Sequence, residues 1–180
     1  SLCFLALIVF INFNLFTIIL ALASMPLAFT YPLMKRITYW PQLFLGITFN
    51  YGLILGWTSI SGKLDFVPII FYFGAIFWTL GYDTIYGYQD IKDDEIIGLK
   101  STSIKFKKNP KTFLFLCYFF LISSLAVGGY LMNFNYLYFL FLFLPLLHLF
   151  FYQIRIFKLD NPLVCLKIFK SNNFFGLIIF

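Results

Sequence analysis

The chain has 180 residues, of which 62% are hydrophobic and only 11% are charged, with a mean hydropathy of +0.91. This composition excludes an ordinary soluble domain and indicates a polytopic membrane protein. The net charge of +6 is better explained by an excess of Lys and Arg on one side of a membrane than by nucleic-acid binding, so no nucleic-acid partner is predicted.

The first half of the chain predicts a short span over residues 2–11, a turn at 12–14 and a second span over 15–33. One long tilted helix over 2–31 is the alternative. Further spans are predicted over 40–60 and 66–82. Within the former, Gly52 and Gly56 form a GxxxG pair typical of helix packing. Asn50 is a candidate binding residue, because a mid-span amide is costly unless it faces the bundle interior or a cavity.

The second half predicts spans over 112–132 and 136–154, a basic loop up to Lys170, and a short final helix over 174–180. His148, the only histidine, is expected to make a helix-helix hydrogen bond rather than to bind a metal. The apolar segments at 2–11 and 174–180 are too short to cross a bilayer, and no charged leader precedes the first. The sequence therefore predicts one domain, 1–180, truncated at both ends relative to a longer parent protein.

The loops between the predicted spans differ strongly in positive charge between the two sides of the membrane. Of the 13 Lys and Arg residues, all except Lys63 fall on one side of the membrane. The positive-inside rule makes that side cytoplasmic, or its equivalent in an organelle, and the same alternation places the most acidic stretch there. The location expected is a bacterial inner membrane, with the mitochondrial inner membrane as the alternative.

Acidic residues are concentrated between residues 83 and 95, where five of the seven carboxylates lie: Asp83, Asp90, Asp93, Asp94 and Glu95. If one helix continues through this stretch, Asp83, Asp90 and Asp94 share a face. Asp90 and Asp94 would then be about 6 Å apart along the axis, a sparse carboxylate pair that suits Mg²⁺ with phosphate oxygens and water. The alternative is a solvated loop that caps a helix.

Cations and tyrosines accompany these acids. Four cations on the same side suit an anionic, metal-bound ligand: Lys35, Arg36, Lys92 and Lys100. Tyr82, Tyr86 and Tyr88 interleave with the acids, and aromatic faces can stabilise a carbocation or stack on a flat substrate. Cation transport is an alternative function, but the acids lie at one interface rather than at mid-depth, which argues against an ion path.

Three strings carry a resemblance to a known family: YPLMKRITYWPQL, YDTIYGYQDIKDDEIIGLKST and NPLVCLKIFKSNNFFG. They resemble the UbiA superfamily of intramembrane prenyltransferases, and within it the branch that prenylates 4-hydroxybenzoate for ubiquinone biosynthesis. The resemblance extends over essentially the whole chain. It implies an all-α transmembrane bundle around a central cavity that opens to the lipid, with Mg²⁺ as cofactor and polyprenyl diphosphate and 4-hydroxybenzoate as substrates.

The resemblance also implies roles for individual residues. Asp90 and Asp94 match the second Asp-rich motif of the family, with Asp83 as a supporting acid, and Tyr31 and Lys35 match positions near the diphosphate and the aromatic acceptor. With the residues chosen above, the predicted site comprises catalytic Asp90, Asp94 and Lys35, metal-binding Asp83, Asp90 and Asp94, and substrate-binding Tyr31, Lys35, Arg36, Asn50, Tyr82, Tyr86 and Lys100.

One departure from the family pattern limits this expectation. The family's first Asp-rich motif, an Asn-Asp-x-x-Asp-like segment, is not found here and is expected before Ser1. The chain would then carry about half of the metal site and be inactive alone, within a parent protein that is an enzyme. A different aromatic acceptor within the superfamily and a non-catalytic structural fragment remain alternatives.

Overall fold

A computed structural model describes residues 2–179 of the protein, and this part of the chain contains helices and no strand. The helices are α1 (Leu2–Phe10), α2 (Leu15–Thr30), α3 (Met34–Ile37), α4 (Pro41–Phe49), α5 (Tyr51–Ser61), α6 (Phe66–Gly87), α7 (Ile91–Ile97), α8 (Thr102–Lys105), α9 (Pro110–Leu131), α10 (Tyr136–Phe141), α11 (Phe143–Leu146) and α12 (Pro162–Ile179). A 3-10 turn joins α2 to α3, and a π-helical segment, Leu147–Ile154, continues α11. The predicted all-α architecture is confirmed.

Six segments are long and apolar enough to cross a membrane: Leu15–Ile37, Pro41–Ser61, Phe66–Gly87, Pro110–Leu131, Tyr136–Ile154 and Pro162–Ile179. The separation of α1 from α2 confirms the two-segment prediction, and the alternative of one long helix is wrong. The local cause is an N-cap, because the side-chain oxygen of Asn14 accepts a hydrogen bond from the backbone N–H of Thr17 at 2.9 Å.

The predicted basic loop up to Lys170 is wrong, because α12 already begins at Pro162. Proline is pre-organised for the first helical position, and the side chain of Asn161 caps the helix by accepting from the N–H of Val164 at 3.1 Å. On this helix, Ser171 lies 3.3 Å from the Nε2 atom of His148 in the π-helical segment. The predicted helix-helix hydrogen bond of the histidine is therefore confirmed.

The acidic stretch does not form one continuous helix, so the prediction that Asp83, Asp90 and Asp94 share a helical face is wrong. The chain leaves α6 just before Tyr88, whose side chain is 1% exposed and packs against Phe157 with 5.3 Å between the ring centres. Because this large ring is buried in the bundle, the chain turns inward at Tyr88 instead of continuing along the axis of α6. The pair Asp90 and Asp94 keeps its helical spacing, since the N–H of Asp94 donates to the carbonyl of Asp90 at 2.9 Å.

Helix α6 is the centre of the bundle and packs against α4, α5, α9 and α12. Two of its glycines lie close against α9. A Cβ atom built at Gly74 would lie 2.7 Å from the Cβ of Ser124, and one built at Gly81 would lie 2.7 Å from the ring of Tyr118. The two glycines therefore let the helices approach more closely than side chains would allow.

The glycine pair predicted to pack helices does not do so in this part of the chain. A Cβ built at Gly52 or at Gly56 of α5 has no atom within 4 Å among the described residues. The predicted packing role of this pair is therefore not observed among residues 2–179.

The replacement of Gly74 by leucine should lower the free energy of unfolding by about 1–3 kcal/mol, because the side chain must push α6 away from α9. The matched control is Gly52→Leu on α5, where the new side chain meets open space. Detergent-solubilised protein would be unfolded thermally or with SDS. Equal midpoints for the two variants would contradict the close α6–α9 contact.

Candidate functional site

The acidic stretch and α3 meet at one end of the bundle, which we call the basic end and define as residues 31–42 and 83–109. The backbone N–H of Lys100 donates to the carbonyl of Lys35 at 2.8 Å. The Lys100 ammonium donates to the carbonyl of Ile37 at 3.2 Å and lies 5.7 Å from the ring centre of Tyr39. The loop after α7 is thus fastened to α3.

Three predicted site residues from different elements come together here. Asp83 is half-buried on α6, and its carboxylate lies near enough to Lys35 and Tyr31 for their charges to influence one another, although no ion pair or hydrogen bond joins these side chains in the described chain. Lys35 and its neighbour Arg36 are exposed at the end of α3. One region of the basic end therefore holds the carboxylate of Asp83, the phenol of Tyr31 and the two exposed cations.

Asp90 and Asp94 lie at the start of α7, where Asp90 is exposed and Asp94 is half-buried. Neither carboxylate has a hydrogen-bond or ion-pair partner within residues 2–179, whereas Glu95 is held by Lys107 at 2.8 Å. No group of three Asp, Glu, His or Cys residues close enough to hold a metal ion occurs in the described chain. Two unpaired carboxylates fit Mg²⁺, which commonly takes one or two from the protein and completes its shell with phosphate oxygens and water.

A row of aromatic rings, which we call the aromatic ladder, runs along α6 from the acidic stretch into the bundle. Trp78, Tyr82 and Tyr86 follow one another at four-residue spacing. The rings of Tyr82 and Tyr86 lie 5.8 and 4.6 Å from that of Phe169 on α12. Trp78 lies 5.2 Å from Tyr82 and 4.9 Å from Phe175. The two predicted tyrosines therefore belong to a continuous apolar surface that begins beside Asp83.

The inner end of the ladder opens on an apolar cavity of about 660 Å³, lined by Trp78 and Phe175 and by residues of α5, α9 and α10. Asn50 also lines this cavity, at the break between α4 and α5. Its amide nitrogen donates to the hydroxyl of Thr79 at 2.7 Å and to the carbonyl of Gly46 at 2.8 Å. The structure therefore places Asn50 away from the basic end and engages its amide in joining α4 to α6.

Sequence reasoning missed a buried polar cluster, the clasp, formed by Gln42, Thr84, Thr102 and Ser103. The backbone N–H of Thr102 donates to the Oε1 atom of Gln42 at 3.0 Å, and the hydroxyls of Thr84 and Thr102 are 2.6 Å apart. Ser103 donates to the carbonyl of Thr84 at 2.8 Å. The clasp fixes the loop that carries Lys100 to α4 and α6. The only sequence signal was the run of hydroxyl residues 101–103, which resembles a solvated loop.

A second missed network lies deeper, between α6, α9, α12 and the π-helical segment. The hydroxyl of Tyr118 donates to the Oε1 atom of Gln153. The Nε2 atom of Gln153 and the indole N–H of Trp78 both donate to the side-chain oxygen of Asn172, at 3.1 and 3.0 Å. The network holds the Trp78 ring in a fixed orientation at the junction of the ladder and the cavity.

Residues 1–178 match the model of the UbiA prenyltransferase family. The chain belongs to this family. Among UbiA proteins it is similar to the mitochondrial 4-hydroxybenzoate polyprenyltransferase of Bos taurus, with 45% identity over 177 residues that cover 98% of this chain and 47% of that protein. It is 43% identical to the corresponding protein of Homo sapiens over 177 residues, with the same coverage of 98% and 47%.

A plant relative is similar to nearly the same degree. The 4-hydroxybenzoate geranyltransferase 2 of Lithospermum erythrorhizon is 42% identical over 180 residues, which cover 98% of this chain and 58% of that protein. The chain spans about half the length of these curated UbiA relatives. No solved structure matches it. The family predicted from the acidic stretch is confirmed, and with its six membrane-length helices the chain is an integral membrane protein.

The replacement of Gln42 by leucine should loosen the loop over residues 99–103, because the buried N–H of Thr102 would lose its acceptor. An unsatisfied buried donor costs about 1–3 kcal/mol. Hydrogen exchange of the loop amides should become faster, and the thermal midpoint should fall. Gln89→Leu is the control, since the amide of Gln89 bonds only to the nearby carbonyl of Tyr86. Unchanged exchange in the Gln42 variant would show that the clasp does not hold the loop.

Proposed function

We propose that the complete protein transfers a polyprenyl group from polyprenyl diphosphate to the ring of 4-hydroxybenzoate, a step of ubiquinone biosynthesis. The observation that carries this proposal is that Asp83 lies near Lys35 and Tyr31 at the basic end, while Asp90 and Asp94, further along the same stretch, have no partner among the described residues. Family membership supports it, and so do the names of the relatives, which share 4-hydroxybenzoate.

The metal in this proposal is Mg²⁺, held by Asp90 and Asp94 with Asp83 as a supporting acid. Asp90 and Asp94 have no competing partner in the described chain, whereas the charge of Glu95 is already neutralised by Lys107. Asp90 and Asp94 are therefore better candidates than Glu95 for binding the metal. Bound there, Mg²⁺ would offset negative charge on a diphosphate and so favour its departure. Such ions usually require further ligands from substrate and water, which is consistent with only two adjacent carboxylates.

The residues of the chain supply the remaining chemistry. Lys35 and Arg36 are exposed cations that can bind the diphosphate and stabilise the charge it gains as the allylic C–O bond breaks. Lys100 has a supporting position, because its ammonium is already bonded to the carbonyl of Ile37. The faces of Tyr82 and Tyr86 can stabilise the allylic cation. The acceptor carbon ortho to the phenol oxygen then forms the new C–C bond, and the ring loses its proton to solvent.

The proposed location is the inner membrane of a bacterium or of a mitochondrion, with the basic end on the cytoplasmic or matrix side. The excess of Lys and Arg at this end supports the orientation. At the opposite end, Lys63 is paired with Asp65 at 3.2 Å. The mitochondrial names of the mammalian relatives support the mitochondrial alternative.

The replacement of Asp90 or Asp94 by asparagine should lower Mg²⁺-dependent prenylation of 4-hydroxybenzoate by about 100-fold or more, because charge stabilisation of the leaving group is lost. The assay would use membranes containing the complete gene product and a polyprenyl diphosphate. Each variant should also require a higher Mg²⁺ concentration for half-maximal rate.

Asp93→Asn is the matched control, since Asp93 is an exposed neighbour on the same turn of α7 and lies outside the proposed ligand set. Its activity and Mg²⁺ requirement should stay within a few-fold of the wild type. Full activity in either the Asp90 or the Asp94 variant would remove that residue from the site. An inactive wild type with correct insertion would contradict the acceptor or the reaction itself.

The orientation is testable with single cysteines placed at Lys108 and at Lys63, both exposed and on opposite ends of the bundle. A membrane-impermeant maleimide should label the Lys63→Cys variant in intact cells or mitoplasts, and the Lys108→Cys variant only after permeabilisation. Cys3 would be replaced by serine in both variants, and the buried thiols of Cys117 and Cys165 should give little background. The reverse labelling pattern would overturn the orientation.

A further inference from the structure

Helix α7 begins directly after Asp90 and contains Asp94, so its placement decides where both proposed metal ligands lie. It has only seven residues. An isolated helix of this length is unstable in water, because too few hydrogen bonds offset the cost of starting a helix. Contacts with the rest of the protein must therefore hold α7 in place.

Two side chains on α7 make such contacts. Ile91 is 6% exposed and belongs to the hydrophobic core. Glu95 accepts hydrogen bonds from the ammonium of Lys107 at both carboxylate oxygens, at 2.8 and 2.9 Å. Within residues 2–179, no other side-chain hydrogen bond joins α7 to another element. The ion pair is thus the polar half of a two-point attachment.

The two points of attachment lie on one side of the helix, because Ile91 and Glu95 are four residues, or about one turn, apart. With Ile91 alone, α7 could pivot about its first turn. Asp94 directly precedes Glu95, so its side chain leaves the axis about 100° away from the attached side. The bond from the N–H of Asp94 to the carbonyl of Asp90 keeps both acids on the same turn. A pivot of α7 would therefore move the two carboxylates together.

Lys107 lies on a segment that the bundle holds firmly. The ring of its neighbour Phe106 stacks on Phe113 of α9, with 3.9 Å between the ring centres, and lies 5.6 Å from the ring of Trp40. Two residues before Lys107, the ammonium of Lys105 lies 4.3 Å from the centre of the Trp40 ring. If the ion pair were broken, the short helix rather than this segment would move.

The choice of partner also matters. A lysine bonded to Asp94 would compete with a metal ion for that carboxylate. By binding Glu95 instead, Lys107 attaches the helix and leaves Asp90 and Asp94 without a competing cation in the part of the chain that the structure describes.

We propose that Glu95 and Lys107 are positioning residues, whose ion pair holds α7 so that Asp90 and Asp94 face the metal site together. This role rests on the proposed prenyl-transfer function and adds two residues outside the proposed ligand set. The side chains of Lys107 and Glu95 are 45% and 37% exposed, and ion pairs with such exposure contribute little to overall stability. The effect of this pair should therefore appear in metal binding rather than in folding.

The variants Lys107→Met and Glu95→Gln each remove the ion pair from one side. In membranes that contain the complete gene product, each should raise the Mg²⁺ concentration for half-maximal prenylation about three- to fivefold, as expected for the loss of a partly exposed pair. The rate at saturating Mg²⁺ should stay within about twofold of the wild type, because both metal-binding carboxylates remain. A loss of folded protein would instead lower the rate at every Mg²⁺ concentration and would overturn the role.

Lys108→Met is the matched control, since it removes the same charge from the next residue, which has no acidic partner within 2–179. Lys107→Arg should behave like the wild type, because a guanidinium can donate to both oxygens of Glu95. The double variant of Lys107 and Glu95 should need no more Mg²⁺ than either single variant. Additive effects would overturn the role, and so would an effect of Glu95→Gln without one of Lys107→Met, which would make Glu95 a metal ligand.

Two measurements separate this role from the proposed reaction, because neither needs product to form. In metal-free complete protein, the amides of residues 94–99, which include the bonded N–H groups of Asp94 and Leu99, should exchange hydrogen about three- to fivefold faster in both single variants than in the Lys108→Met control. Binding of Mn²⁺, followed by the loss of its free EPR signal in the presence of a prenyl diphosphate, should weaken by a similar factor. Unchanged exchange or unchanged Mn²⁺ binding would overturn the role of the ion pair.

Discussion

The close contact between α6 and α9 is the constraint on which the rest of the bundle depends. Gly74 and Gly81 bring the two backbones together along one face of α6, and this fixes the direction in which the other faces point. One of them carries the aromatic ladder towards α12, and another places Asp83 near Tyr31 of the 3-10 turn and Lys35 of α3. In a lipid environment such packing is favoured because apolar side chains alone give helices little reason to associate in one arrangement.

Polar groups fix the arrangement that apolar packing leaves open. The clasp joins the loop of Lys100 to α4 and α6, and the Asn172 network joins four membrane segments around Trp78. Most groups in these networks are buried and all have a partner, so any change of helix rotation or depth would leave several of them unsatisfied at once. The two networks lie at opposite ends of the aromatic ladder and fix the positions of the helices around it.

Much of the fold could be predicted from hydropathy, because spans such as Pro110–Leu131 and Tyr136–Ile154 are continuous apolar runs between polar turns. The start of α12 could not, since Lys167 and Lys170 made its first half appear to be a loop although Pro162 and Asn161 had already begun a helix. The break after Gly87 was equally hidden, because it depends on the burial of Tyr88 against Phe157, far along the chain.

The residue types of the candidate site could be predicted from the sequence better than their positions relative to one another. The acids and the segment with Lys35 and Tyr31 were visible as motifs, and the folded chain brings both residues near Asp83. The clasp and the cavity could not be found from sequence, because the hydroxyls of residues 101–103 resemble those of a solvent-exposed loop and open space has no sequence pattern. Asn50 was singled out correctly as an interior amide, but its bonds are to α6.

The backbone bond between Lys100 and Lys35 has a consequence for how ligands act on one another. It joins the segment that follows α7 to the segment that carries the exposed cations Lys35 and Arg36. Neither segment can therefore shift relative to the other without stretching this hydrogen bond. A ligand that displaced one segment would change the free energy of binding at the other, and thermodynamic reciprocity would make the effect equal in both directions. Lys100 carries this connection in two hydrogen bonds, one from its backbone N–H to the carbonyl of Lys35 and one from its ammonium to the carbonyl of Ile37.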